Sequence, residues 1–226
     1  MAASPTAGST RSATAGVGFN LAAIAIVLAL AGIALAYALD GAGRHLRAGQ
    51  TVEAAGEVTR TIAGKEMHIP RSLLRYDEQA AAGFTEELDL RLRLPLGPNA
   101  AMRPIDVTLV PRSRARPSAV LLDGVYLHQF TQTEVSGPPG LIGKPLHGTD
   151  GFEGETVWYD ALSPNPFVAK CEAPVPGATS GRCLRTVFFD AVAAIYAFDA
   201  EVLENWREFD RTTESALSGI GIRRTR

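Results

Sequence analysis

The sequence predicts an α+β protein: an N-terminal transmembrane helix, then one mainly antiparallel β-sheet domain with a packed C-terminal helix. Three observations lead there. Val17 to Leu39 is an apolar run of 23 residues without a charged side chain. After residue 52, short segments alternate apolar and polar residues and are separated by Gly, Pro, Asn and Asp, the period-two signature of half-buried strands with brief connections. From Asp199 to Gly219 the period becomes helical, with Val202, Leu203, Trp206, Phe209 and Leu217 on one face.

Residues 1–16 are rich in Ala, Ser, Thr and Gly, with Arg11 the only charged side chain. Such a composition cannot bury a core and reads as a disordered cytoplasmic tail. As a helix, residues 17–39 would be about 34 Å long, enough to cross a hydrocarbon core of about 30 Å. Ala34-Leu35-Ala36 and Ala36-Tyr37-Ala38 match the small-residue pattern of signal cleavage sites, so a cleaved signal peptide is the rival. The apolar run exceeds the usual signal core of roughly 7–15 residues and favours a retained anchor. Arg44 and Arg47 follow the run closely and favour a cytoplasmic domain by the positive-inside rule. The cysteine pair and the position of the run near the N-terminus favour the opposite, and the reading adopted is tail inside, domain in the periplasm. Gly18, Ala22, Ala25, Ala29, Gly32 and Ala36 fall on one stripe, where small side chains let a neighbouring transmembrane helix approach closely. The segment also holds eight alanines, so composition alone can produce such a stripe. Residues 40–51 form a polar linker, 52–218 the periplasmic β-rich domain and 219–226 a flexible basic tail.

Glu57 to Ile62 and Glu66 to Ile69 alternate around Ala63-Gly64-Lys65, a hairpin signal that turns His68 away from Met67 and Ile69 towards solvent. Ser72 to Ala82 reads as a short helix. In Thr85 to Leu94, Leu88, Leu90, Leu92 and Leu94 alternate with Asp89, Arg91 and Arg93. The acidic residues Glu87 and Asp89 are therefore expected on a solvent face, in cross-strand ion pairs. Ile105 to Val110 is the antiparallel partner. Arg112, Arg114 and Arg116 form a basic turn suited to an anionic partner. Pro117 to Gln129 reads as a helix of about three turns that Gly124 weakens. Gly137 to Pro145 superficially resembles a phosphate loop, but Pro138 and Pro145 stand where the Walker pattern needs Gly and Ser or Thr. It reads as a proline-fixed connector.

Strands follow at 155–162, 167–172, 182–190 and 194–198, joined so briefly that an antiparallel meander is expected. Cys171 ends one strand and Cys183 begins the next. A hairpin sets such positions opposite each other, so the pair reads as a disulfide. Asp199 is a plausible N-cap for the last helix.

Composition narrows the function. A formal net charge of −2 gives the chain as a whole no electrostatic footprint for nucleic acid. The histidines, His45, His68, His128 and His147, are scattered, and two cysteines make neither a zinc site nor a CxxC motif. No catalytic or metal motif and no cofactor signature stands out.

The hairpin ending His68-Ile-Pro-Arg71, the strand ending Arg93-Leu-Pro95, Gly140-Leu-Ile-Gly143, Phe167-Val-Ala-Lys-Cys171, Cys183-Leu-Arg185 and the helix around Trp206 follow the N-terminal anchor. Together they resemble uncharacterised membrane-anchored periplasmic proteins of alphaproteobacteria, over roughly residues 52–215. The resemblance implies a compartment and a disulfide, and carries no activity or catalytic residues. Three functions stay open. The favoured one is an accessory protein binding another membrane or periplasmic protein at the inner membrane. The second is a binding module for an anionic ligand, lipid headgroup or envelope polymer, through Arg112, Arg114 and Arg116. The third is a hydrolase assembled only in space, with His68 or His128 and Asp123 or Asp150 as first suspects.

Overall fold

The computed structural model describes residues 32, 56–148 and 153–224. The chain divides into two units, Met1–Glu53 and Ala54–Arg226. The tail 1–16, the apolar segment 17–39 with its stripe (Gly32 apart) and the linker 40–51 lie outside the described residues, as does Asp150. Among the described residues no helix is long and apolar enough to cross a membrane.

The second unit opens with the expected hairpin, β1 (Glu57–Ile62) and β2 (Lys65–Pro70). Ala63 and Gly64 make its turn with φ of 48° and 78°, the left-handed pair that suits the twist of a two-residue hairpin. Val58, Ile62, Met67 and Ile69 are buried, while the His68 side chain is 56% exposed. A two-residue strand, β3 (Gly83–Phe84), lies parallel to β1. The stretch expected as a helix at 72–82 instead contains two short 3-10 turns, Arg71–Leu73 and Asp77–Ala80. Between them Leu74 bridges to Leu90 and the Arg75 amide donates to the Asp89 carbonyl, at 2.9 Å. The backbone is committed to an outer edge of the main sheet, which it covers.

That sheet has seven strands: β4 (Leu88–Leu96), β5 (Ala101–Pro111), β6 (Ile142–Pro145), β7 (Glu155–Tyr159), β8 (Val168–Glu172), β9 (Arg182–Phe189) and β10 (Val192–Asp199). Their order is β4-β5-β10-β9-β8-β7-β6, and every pairing is antiparallel. The expected meander runs from β6 to β10, and β10 closes the sheet against β5. The supposed connector at 137–145 ends in β6, because an edge strand tolerates prolines. The Trp158 ring lies against the backbone there: a Cβ at Gly137 or Gly143 would come within 2.0 Å or 2.5 Å of it.

One face of the sheet carries the main core. Leu88, Leu90, Leu92, Leu94, Ile105, Val107, Leu109, Tyr196 and Phe198 pack there with the hairpin and with α2 (Trp206–Gly219). The last helix starts later than expected, because Ala200–Asn205 is 3-10 and no side chain caps either segment. Asp199 is not an N-cap; its carboxylate accepts from Arg182 at 3.2 Å. Ile220 and Ile222 are 3% and 1% exposed, and the Ile220 carbonyl accepts from the His68 amide at 3.2 Å. Packed chain therefore continues to Ile222, past the boundary expected at 218. On the opposite face, α1 (Ser118–Gly124) covers β8 with Leu122, over Val157 and Val168. The expected three-turn helix breaks at Val125 (φ −134°, ψ −60°), and a 3-10 turn at Tyr126–His128 follows. Cys171 and Cys183 face each other across β8 and β9 and form the expected disulfide, 5% and 0% exposed.

Candidate functional site

The basic turn is part of an open groove of about 750 Å³, lined by Arg112, Arg114, Arg116, Pro117, Val120 and Phe188 among others. Local sequence builds it. Pro111 ends β5, and Arg112–Arg114 forms a 3-10 turn. The Arg112 amide donates to the Ala191 carbonyl at 2.8 Å, pinning the turn to the β9–β10 hairpin. Pro117 holds the chain extended before α1. The Thr186 amide donates to Ser118 Oγ at 2.9 Å, which seats the start of α1 over β9.

The Arg112 guanidinium lies 4.5 Å from the Phe188 ring centre, a stacked cation that leaves its donors at the edge. Arg114 meets Glu86 at 3.3 Å, but that carboxylate is 86% exposed, and such a pair is weak and screened by salt. Val120 is 53% exposed at the groove wall. A second depression of about 270 Å³ adjoins the first, sharing Pro117, Val120 and Phe188 and adding Ala119, Asn165, Pro166 and Val187. Two arginines line it. Arg185 is held by Asp210, at 2.8 and 2.5 Å, and by the Val168 carbonyl at 3.0 Å. Arg224 pairs with Glu214 at 2.9 Å.

A third groove, of about 330 Å³, contains Arg75, Arg91 and Arg93. Here a single buried carboxylate gathers arginines. Asp106 takes Arg91 at 2.8 Å, Arg182 at 2.7 Å and Arg75 at 3.7 Å. Burial opposes ionisation of Asp106, yet the hydrogen bond from Arg91 and the charges of Arg75, Arg91 and Arg182 outweigh it and hold the carboxyl below the ordinary carboxylate range. Asp89 departs from its expected place in a solvent-facing ion pair. It is 9% exposed and accepts from Thr108 Oγ1 at 2.6 Å and Gln79 Nε2 at 3.1 Å. The Asp77–Ala80 turn brings Gln79 over it, so Asp106 is the acid that meets Arg91.

Among the described residues no hydrogen bond or ion pair joins His68 or His128 to Asp123, and Asp150 lies outside them. His68 lies 3.4 Å from Thr59 Oγ1 and 3.5 Å from Glu66, on the exposed face of the hairpin and outside these grooves. His128 and Asp123 are both exposed. Among the described residues no three of His, Cys, Asp and Glu group closely enough to hold a metal ion. Pattern reading overlooked Arg185 and Asp210. The signal was present: Arg185 shares the parity of Cys183, Val187 and Phe189 on β9, which assigns it to the core face.

Fold and groove define a disulfide-bonded α+β domain with a basic, part-apolar groove. Disulfides persist mainly outside the reducing cytoplasm. No protein-family model matches this chain, and no curated protein matches it. Two solved structures are similar in fold. One is Smlt3025, an immunity protein of the Stenotrophomonas maltophilia type IV secretion system, 14% identical with a TM-score of 0.48, covering 73% of this chain and 92% of that one. The other is the iron-regulated outer membrane lipoprotein FrpD of Neisseria meningitidis, 11% identical with a TM-score of 0.48 and the same coverage, 73% and 92%.

Proposed function

We propose that the protein is an accessory interaction protein of the periplasm, tethered to the inner membrane by residues 17–39, which docks an anionic partner protein at Arg112, Arg114 and Arg116. The observation that carries this reading is the convergence of these three arginines, from one short turn, on a single groove with an apolar wall. Arginine suits carboxylates, because its planar fork makes paired hydrogen bonds. An apolar wall beside the charges adds the area burial that protein docking uses. The compartment rests on the buried disulfide. The small-residue stripe of 17–39 supports a partner that is itself membrane-embedded. The competing reading is a lipid headgroup or envelope polymer, supported by a linker short enough to keep the domain near the bilayer.

Photocrosslinking from position 120 of the full-length protein in intact cells separates the two. The expected result is one discrete protein adduct, lost on combined Arg112→Glu, Arg114→Glu and Arg116→Glu substitution in a chain that still accumulates and keeps its near-ultraviolet circular dichroism. A protein adduct indifferent to charge reversal, or adducts to lipid or polymer alone, would overturn the reading. Exchanging 17–39 for an unrelated anchor then measures the contribution of the stripe.

A further inference from the structure

The two adjoining depressions differ in chemistry, and the difference specifies an occupant. In the first, Arg116 pairs with no carboxylate among the described residues, and Arg114 meets only the highly exposed Glu86. In the second, both arginines are already matched, Arg185 by Asp210 and Arg224 by Glu214. Its remaining walls are mainly apolar, from Ala119, Val120, Pro166 and Val187. Val120, half-exposed at the seam, belongs to both. The surface thus reads positive, then apolar, along one continuous path.

Resting on the docking role proposed above, we infer that the occupant is an extended acidic peptide segment of the partner, with a large apolar side chain a few residues from its carboxylates. The carboxylates meet Arg112, Arg114 and Arg116, and the apolar side chain fills the second depression. That depression, about 270 Å³ and bounded by Asn165 and Pro166, has room for one large apolar side chain. Recognition runs through side chains, because β9 and β10 are interior strands with a neighbour on each side, and the chain beside the groove offers no free sheet edge for strand addition. In the third groove Arg75 and Arg91 already reach to the Asp106 carboxylate.

The test uses the full-length chain in zwitterionic nanodiscs and fluorescence anisotropy of a short labelled peptide, Asp and Glu residues followed by Leu-Phe, amidated at its C-terminus. Binding is expected to weaken about tenfold or more when the acids become amides, and again when Leu-Phe becomes Ser-Ser, as each half of the contact is removed. Arg114→Glu with Arg116→Glu removes the acid-dependent part. Val120→Asp removes the apolar increment, and Arg93→Glu, in the third groove, changes neither. Near-ultraviolet circular dichroism confirms that each variant is folded. Equal binding of a purely acidic peptide would overturn the inference in favour of a general polyanion site. Binding to anionic vesicles without binding to the peptide would overturn it in favour of a headgroup. Absence of peptide binding, while the position-120 crosslink to a protein persists, would overturn the peptide assignment and leave the docking role standing.

Discussion

Asp106 shows how one residue can organise a solvent-side face of the sheet. Its side chain is 10% exposed, whereas those of Arg75, Arg91 and Arg182 are 34%, 52% and 42% exposed, so the acid is fixed and three cations reach to it from water. The arginines hold its folded pKa below the ordinary value of about 3.9. The sign follows from linkage. A carboxyl whose pKa is lowered on folding stabilises the protein above its unfolded pKa and loses that contribution as pH falls through the folded value. Asp106→Asn should therefore cost about 1–3 kcal/mol at pH 7. The gap between variant and parent should close progressively below about pH 4, as the parent's own carboxyl protonates. Urea unfolding at a series of pH values checks this, and a gap that stays constant to pH 2 would show that Asp106 acts by packing alone.

At the scale of elements, α2 is fastened at a charged point within an aromatic cluster. Phe209 packs edge-on against Tyr196 and Phe167, at 5.5 and 6.0 Å between ring centres. One position later, Asp210 accepts from Nε and Nη2 of Arg185, whose guanidinium lies 4.3 Å from the Phe167 ring centre. The Arg185 side chain is 6% exposed, so Asp210→Ala strands a buried cation and should cost about 3 kcal/mol in urea unfolding, against less than about 1 kcal/mol for the surface substitution Glu204→Ala. What the sequence revealed and concealed follows the same division. The Leu88 to Leu94 alternation and the Ala63-Gly64 turn are local signals, and each is realised as read. Asp89 was misplaced because period two tells which side a residue faces, not what covers that side, and the Gln79 turn covers it. Strand β6 was hidden by prolines that only an edge position accepts. The arginines of the groove were visible as a cluster at 112–116, but Phe188 reaches them from β9, and no spacing along the chain announces that meeting.

For the domain of the second unit, sheet closure depends on strands far apart in the chain. β4 and β5 form one hairpin, the meander from β6 to β10 forms the rest, and the β5–β10 ladder joins them. The disulfide ties β8 to β9 inside the meander, at a register where Cys171 and Cys183 already face each other. Its sequence separation of 12 closes a loop for which chain entropy predicts about 3 kcal/mol of stabilisation, acting mainly on the unfolded chain. That is a large share of the roughly 5–15 kcal/mol by which a folded domain exceeds its unfolded state. Replacing both cysteines by alanine should therefore lower the stability measured by urea unfolding by about 3 kcal/mol, with a steeper slope because the unlinked chain exposes more surface. Wild-type protein unfolded and refolded in reductant should move in the same direction. Because the sulfurs are buried, reductant added to the native protein should act only at the rate at which the domain opens, so the oxidised curve should persist for a time after mixing. A double variant as stable as the parent would remove the disulfide as a support of the fold. A loss of the expected size would make the domain's stability depend on an oxidising compartment.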